Sequence, residues 1–127
     1  MVEPAKYFAE VRGGNFQVAI DFQCGYIVEP DLDLYKFQSR EISQANYGRY
    51  SDKILDDLYE RQSRALDPEE RRKHVRDFER RLLDEEAHYV PTLQYYRIVP
   101  HSAKVRGWTI TPSHYVNQQL DTVWLAE

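Results

Sequence analysis

"LDPEERRKHVRDFERRLLDEEAHYVP" runs from Leu66 to Pro91 and carries the strongest periodic signal in the chain. Asp67 is suited to capping a helix, Pro68 has the fixed φ of a first helical residue, and Glu70 stands at capping-box spacing. Val75, Phe78, Leu82 and Leu83 then fall on one side of a helix, among charges of both signs. The stretch predicts a long amphipathic helix with one buried stripe and one solvated, internally paired face. Val90-Pro91 closes it, because the residue before a proline is pushed out of helical dihedrals.

Upstream, "SDKILDDLYERQSRAL" (Ser51–Leu66) predicts a second helix, capped by Ser51, with Ile54, Leu55 and Leu58 on one side. Pro4 and "RGGN" (Arg12–Asn15) bracket a third, in which Tyr7, Phe8 and Val11 recur at helical spacing. "FQVAID" (Phe16–Asp21) is β-prone and predicts a strand. Phe22 to Asn46 keeps no period and predicts loop with short helical turns. After Pro91, "TLQYYRIV" and the run around "KVRGWTI" predict extended segments, and the tail ends in Val123, Trp124 and Leu125. The order of elements predicts an α/β fold. Strand 16–21 is expected in a sheet covered by the helices at 3–12 and 67–88, with Val75, Phe78 and Leu82 facing it.

Composition removes several functions. With 17 basic and 21 acidic residues the net charge is −4, so nucleic acid has no electrostatic claim, and "RRKHVR" (Arg71–Arg76) is flanked by acids. A single cysteine, Cys24, excludes an internal disulfide and reads as a buried or pocket-lining thiol. No stretch approaches the roughly 20 apolar residues of a membrane span. Glu3 and Pro4 stand where a signal peptide needs an apolar run.

No glycine-rich phosphate loop is present, and His74, His88, His101 and His114 share no metal-ligand spacing. His74 reads as a surface residue and His88 as a partner of the helix dipole. Glu29, Asp31 and Asp33 lack the further oxygens and the turn glycine of a calcium loop. No nucleophile–base or acid–acid pair is visible, so the expectation is a non-enzyme with neither cofactor nor metal.

Aromatic richness stands out: ten tyrosines, five phenylalanines and two tryptophans. Tyr26, Tyr35, Phe37, Tyr47 and Tyr50 lie in or beside the irregular stretch. Such residues either line a ligand cleft or pack the loop onto the domain, and the sequence leaves both open.

Six segments, in order, resemble the C-terminal end of the extracellular solute-binding proteins of the peptide/nickel importer family, often called family 5. They are "YFAEVRGGNFQVAI", "CGYIVEPD", "ANYGRYSDKILDDLYERQ", "DPEERRKHVRDFERRLLDEEAHYVPTLQYY", "KVRGW" and "NQQLDTVWL". The third is similar to the family's Asn-x-x-x-Tyr-Ser/Asn-x-x-x-x-Asp-x-Leu stretch, and together they cover nearly all of residues 1–127. The resemblance implies part of a type II periplasmic-binding-protein-like fold, mainly the second lobe and the return segment, with the first lobe absent. It also implies a parent in the periplasm or cell envelope that hands a small solute or peptide to the membrane permease of an ATP-driven importer.

The expected ligand contacts are Gln23, Cys24, Gly25 and Tyr26, with Asn46 and Tyr47 beside them. In peptide-binding relatives this loop carries an aspartate for the peptide's amino group. Here Tyr26 falls at that place, which makes a free peptide a doubtful ligand and a neutral or anionic solute as plausible. In a shifted register Asp21 or Asp31 supplies the carboxylate instead. A piece without its first lobe is expected to bind weakly and to self-associate. The alternative is a small independent α/β protein whose charged helix and aromatic loop bind a protein partner.

Overall fold

Two helices joined through Ala65, Leu66 and Asp67 carry the core: α3 (Lys53–Arg64) and α4 (Pro68–Arg80). They belong to a computed structural model that describes residues 3–21, 23, 27, 29–93, 98–111 and 119–127. Phe78 and Leu55 are fully buried between them, with Leu34 and Leu82 beside. Phe37, Tyr50, Leu58, Tyr59, Val75, Leu83 and Tyr89 pack around that centre. The stripe read from the sequence is therefore buried, but against α3 and the preceding loop, not against a sheet. Ile54, expected to face inward, points to solvent.

The expected strand Phe16–Asp21 is irregular chain, and Val18 and Ile20 are 87% and 78% exposed. A β-prone segment becomes a strand only when a neighbour takes its backbone N–H and C=O groups. Among the described residues none does; instead the Tyr7 hydroxyl donates to the Ile20 carbonyl.

Both long helices begin at an aspartate. Asp52, one residue after the expected Ser51, caps α3 by accepting from the Ile54 and Leu55 amides at 3.0 and 3.3 Å. An ionised carboxylate takes two donors at the positive end of the helix, which favours it over the serine hydroxyl. Asp67 caps α4 through the Glu69 amide, while Glu70 turns to His74, 3.8 Å away.

The second helix does not run to Val90-Pro91. After Arg80 the chain widens into a π-type turn over Arg81–Glu85, and Ala87 then takes a positive φ of 49°. The wide turn keeps Leu82 in the core and brings Arg81 to Asp52, so a tertiary ion pair prevails over local helix propensity.

Upstream, α1 (Pro4–Gly13) starts at its proline and stops where Gly14 adopts left-handed dihedrals. The short α2 (Pro30–Leu34) is capped by Glu29 and continues as a single tight turn over Tyr35–Phe37, as expected for that loop.

Thr92–Glu127 belongs to a second unit, where β1 (Val105–Arg106) pairs antiparallel with β2 (Trp124–Leu125). The expected extended runs shrink to these short strands. Thr92, Leu93, Ile98 and Val99 are irregular, and residues 94–97 lie outside the described ones. Gly107 leaves β1 with φ 74°, and a Cβ built there collides with the Thr122 carbonyl oxygen. Gly107→Ala is therefore expected to erase the nuclear Overhauser contacts between Val105 and Leu125; their survival would mean that the turn tolerates the methyl. Among the described residues the architecture is four α-helices and one two-stranded antiparallel sheet, a small mixed α/β arrangement dominated by helix. No helix in it is long and apolar enough to cross a membrane.

Candidate functional site

The loop from Gln38 to Tyr50 is knotted to α3 by side chains that are fully buried. The Ser39 amide donates to Asp56 Oδ1 at 2.8 Å and its hydroxyl to Oδ2 at 2.7 Å, while that hydroxyl accepts from the Asp52 amide. Asn46 donates from Nδ2 to the Gln38 and Tyr50 carbonyls at 2.9 and 3.0 Å and accepts from the Arg49 amide at 2.9 Å. Its amide is thus fully engaged with backbone, and Asn46 supports the loop from beneath instead of presenting a free group. The Tyr50 hydroxyl closes the knot on the Phe37 carbonyl at 2.7 Å.

Around Asp52 a charged cluster joins both helices to the segment beyond them. Asp52 Oδ2 lies 3.0 Å from Arg81 Nε and 3.2 Å from His88 Nε2. Burial pushes the Asp52 carboxyl up, but hydrogen bonds from His88, Arg81 and two backbone amides outweigh it and hold the group below the usual carboxylate range. His88 is thus a tertiary partner and not the helix-dipole residue expected; its ring stacks on Tyr50 with centroids 3.7 Å apart. Burial, then the neighbouring Tyr89, Asp52 and Asp56, push the Tyr50 phenol well above its ordinary range.

Two of the three acidic residues considered for a cation, Glu29 and Asp31, are occupied structurally. Arg71 pairs with Glu29 and stands 3.5 Å from Asp31, and its Nε donates to the Gln62 side chain at 3.2 Å. The hydrogen bond from Arg71 holds the Glu29 carboxyl below its usual range. These contacts fasten α2 to α3 and α4. No group of metal-ligating side chains occurs among the described residues.

Of the expected ligand contacts, Gln23 is exposed, and Cys24, Gly25 and Tyr26 lie outside the described residues. Tyr47 is half-buried, with the Lys36 ammonium 5.5 Å from its ring centre. Lys36 pairs with Asp21 and lies 5.9 Å from the Phe37 ring. Asp21 and Tyr47 are therefore brought to one place through Lys36, a residue the sequence reading passed over. Asp21, named there as a possible counter-ion for a ligand, is paired within the chain.

Next to this group is Tyr89, set edge-on to Phe37 at 4.8 Å. Its hydroxyl is buried, and the Tyr47 and Gly48 amides approach it without completing a hydrogen bond of good geometry. Burial, then Asp21 and Tyr47, push the phenol up to about 12, against a smaller opposing pull from the Tyr47 and Gly48 amides. An unpaired buried hydroxyl contributes nothing to set against its desolvation. Tyr89→Phe is accordingly expected to leave stability unchanged or raise it by up to about 1 kcal/mol in urea unfolding; a loss of that size would show that the hydroxyl is bonded.

A separate open cleft of about 530 Å3 lies along α3, between Tyr35 and Ile42 on one side and Asp57, Tyr59 and Glu60 on the other. Its polar groups are paired along the wall: the Tyr35 hydroxyl donates to the Ile42 carbonyl, Arg61 meets Asp57, and Arg64 meets Glu60. Compared with protein families, with curated proteins and with solved structures, the chain finds no match in any of the three.

Proposed function

We propose that this chain is part of the solute-binding component of an ATP-driven importer, acting outside the cytoplasmic membrane and without catalysis. The reading rests on six segments that resemble the C-terminal end of the family 5 solute-binding proteins. The observation that carries it is the knot formed by the best of those segments. Asn46, Asp52 and Asp56 stand within "ANYGRYSDKILDDLYERQ": the Asn46 side chain holds the loop to itself, Asp52 caps α3, and Asp56 fastens the loop to α3 through Ser39. A rigid shelf of this kind, bearing Tyr47 and set beside Asp21, is a support from which a ligand loop is presented. The fold proposed with it is a portion of a type II periplasmic-binding-protein-like lobe, whose other lobe supplies the opposing ligand contacts.

Uncovered apolar side chains support the same reading. Leu93 and Ile98 are 79% and 87% exposed, and Trp124 and Leu125 also face solvent. Surfaces of this kind mark packing partners, here the remainder of a larger lobe pair. The isolated 127-residue chain is therefore expected to self-associate in sedimentation velocity and to melt over a broad range. A clean monomer with a sharp two-state transition favours the alternative, an independent protein that docks a partner through its charged helix.

The direct test is uptake. Disrupting the coding sequence in its source organism should abolish import of one class in a panel of labelled oligopeptides, sugars and nickel. Unchanged uptake of every class overturns the importer reading.

A further inference from the structure

We propose that the cleft along α3 is a binding site for an uncharged solute that carries a primary carboxamide on a flat apolar body, with the Gln38 side chain as its hydrogen-bonding partner. None of the described residues that line it is a contact expected from the resemblance, so the site goes beyond the solute-binding reading and stands without it.

The pairs along the wall leave one lining side chain over. Gln38 is only 3% exposed, yet its carboxamide makes no hydrogen bond among the described residues. Its oxygen and nitrogen are not sealed in either: they keep a small opening, and that opening is the cleft. The backbone around it is pinned. The Gln38 carbonyl accepts from Asn46 Nδ2 at 2.9 Å, and the next amide, of Ser39, donates to Asp56 at 2.8 Å. The side chain is thus held from beneath with two N–H donors and an acceptor unengaged. A polar group so nearly enclosed is almost always bonded, and one left open marks a place for a partner.

The rest of the lining defines that partner. Both tyrosine hydroxyls are engaged with the chain's own backbone, Tyr35 with Ile42 and Tyr59 with Asp31, so what remains of these side chains is ring. Tyr35 and Ile42 are 44% and 45% exposed, which leaves apolar surface for a flat body to cover. The charges are already paired. Both Asp56 oxygens hold Ser39, Asp57 meets Arg61 at 2.8 Å, and Glu60 meets Arg64 at 2.6 Å. A charged solute would have to break one of these pairs, and an anion would also face the carboxylates of Asp56, Asp57 and Glu60. A neutral group with donor and acceptor side by side matches what Gln38 offers. A carboxamide is such a group: its N–H meets the Gln38 oxygen while its own oxygen takes a Gln38 N–H. Water can meet Gln38 equally well, but it covers no apolar surface; a solute that replaces it keeps the hydrogen bonds and adds burial against Tyr35 and Ile42. No covalent step is involved.

The test uses the 127-residue chain and benzamide, followed by NMR through the Gln38 side-chain NH2 pair and the Ile42 amide. Benzamide should shift both signals saturably. N,N-dimethylbenzamide, which keeps the acceptor but has no donor, should bind about tenfold more weakly, because the Gln38 oxygen is then left unmet. Benzoate and benzylammonium at matched ionic strength should leave both signals in place. Gln38→Met, which keeps the length of the side chain, should weaken benzamide about tenfold by the Ile42 signal. Ile42→Ala, at a half-exposed position, should weaken it several-fold. If Gln38→Met loses its dispersed amide spectrum, the comparison of the two amides on the unaltered chain decides alone. No saturable shift, equal affinity for the two amides, tighter binding of benzylammonium than of benzamide, or full affinity in a folded Gln38→Met overturns the proposal. None of these readouts passes through uptake. Saturable benzamide binding alongside unchanged uptake in the disrupted strain leaves the site standing and removes the importer role, and lost uptake with no benzamide binding does the reverse.

Discussion

Phe78→Ala is expected to lower stability by about 3–5 kcal/mol, the range for emptying a fully buried aromatic position. Phe78 has no solvent exposure and sits where α3, α4 and the Leu34–Phe37 segment meet. Its removal withdraws contacts from Leu34, Leu55 and Leu82 together, which make up the buried centre of this cluster. Small domains hold a margin of roughly 5–15 kcal/mol, so the variant should be close to unfolding at room temperature. Two controls separate packing from helix propensity. Ile54→Ala, on the exposed face of α3, should cost no more than about 0.5 kcal/mol. Phe78→Leu, which keeps most of the volume, should fall between the two. Urea midpoints at constant slope give all three values. A loss below about 1 kcal/mol for Phe78→Ala would mean that the helices part without emptying a cavity.

That core position was legible in the sequence because its information is local. Asp67-Pro68 starts the helix, and the spacing of Val75, Phe78 and Leu82 gives the face without reference to anything distant. The strand expected at Phe16–Asp21 shows the opposite case. β-prone residues state a preference that only a pairing neighbour can realise, and none is present among the described residues.

The end of α4 was misread for a related reason. The π-type turn serves an ion pair between Arg81 and Asp52, which are 29 residues apart and share no local pattern. Of the residues gathered around Lys36, the sequence had pointed to Asp21, Phe37 and Tyr47 through aromatic content and resemblance. Lys36 and Tyr89 could not. Lys36 meets Asp21 across 15 residues, and Tyr89 shares no local pattern with either. Asn46, expected beside the ligand, is instead buried with its amide bonded to backbone, a role that no local pattern announces.

Asp52→Ala should produce the second large effect, about 3.5 kcal/mol, and it should carry a pH signature. The side chain is 4% exposed and does two jobs at once. Oδ1 caps α3, worth about 0.5–2 kcal/mol. Oδ2 balances Arg81 and faces His88, and removing one member of a buried pair costs about 3–5 kcal/mol. Arg81 keeps Glu86 at 2.7 Å, which places the total at the low end of the summed ranges. Asp52→Asn separates the two roles, since its amide oxygen still caps the helix while the charge is gone. It should lose less than Asp52→Ala. The folded Asp52 titrates below its ordinary value because His88, Arg81 and two amides favour the charged form against burial. An unfolded aspartate titrates near ~3.9, so between the two values the unfolded chain binds more protons. The contribution is therefore complete above about pH 5 and lost as pH falls through the folded value. Melting temperature followed from pH 7 to pH 3 should drop more steeply in the unaltered protein than in either variant, with the curves converging at the acid end. Parallel curves would show that Asp52 is not held ionised by its partners, and that the charged cluster contributes nothing to joining α3, α4 and His88.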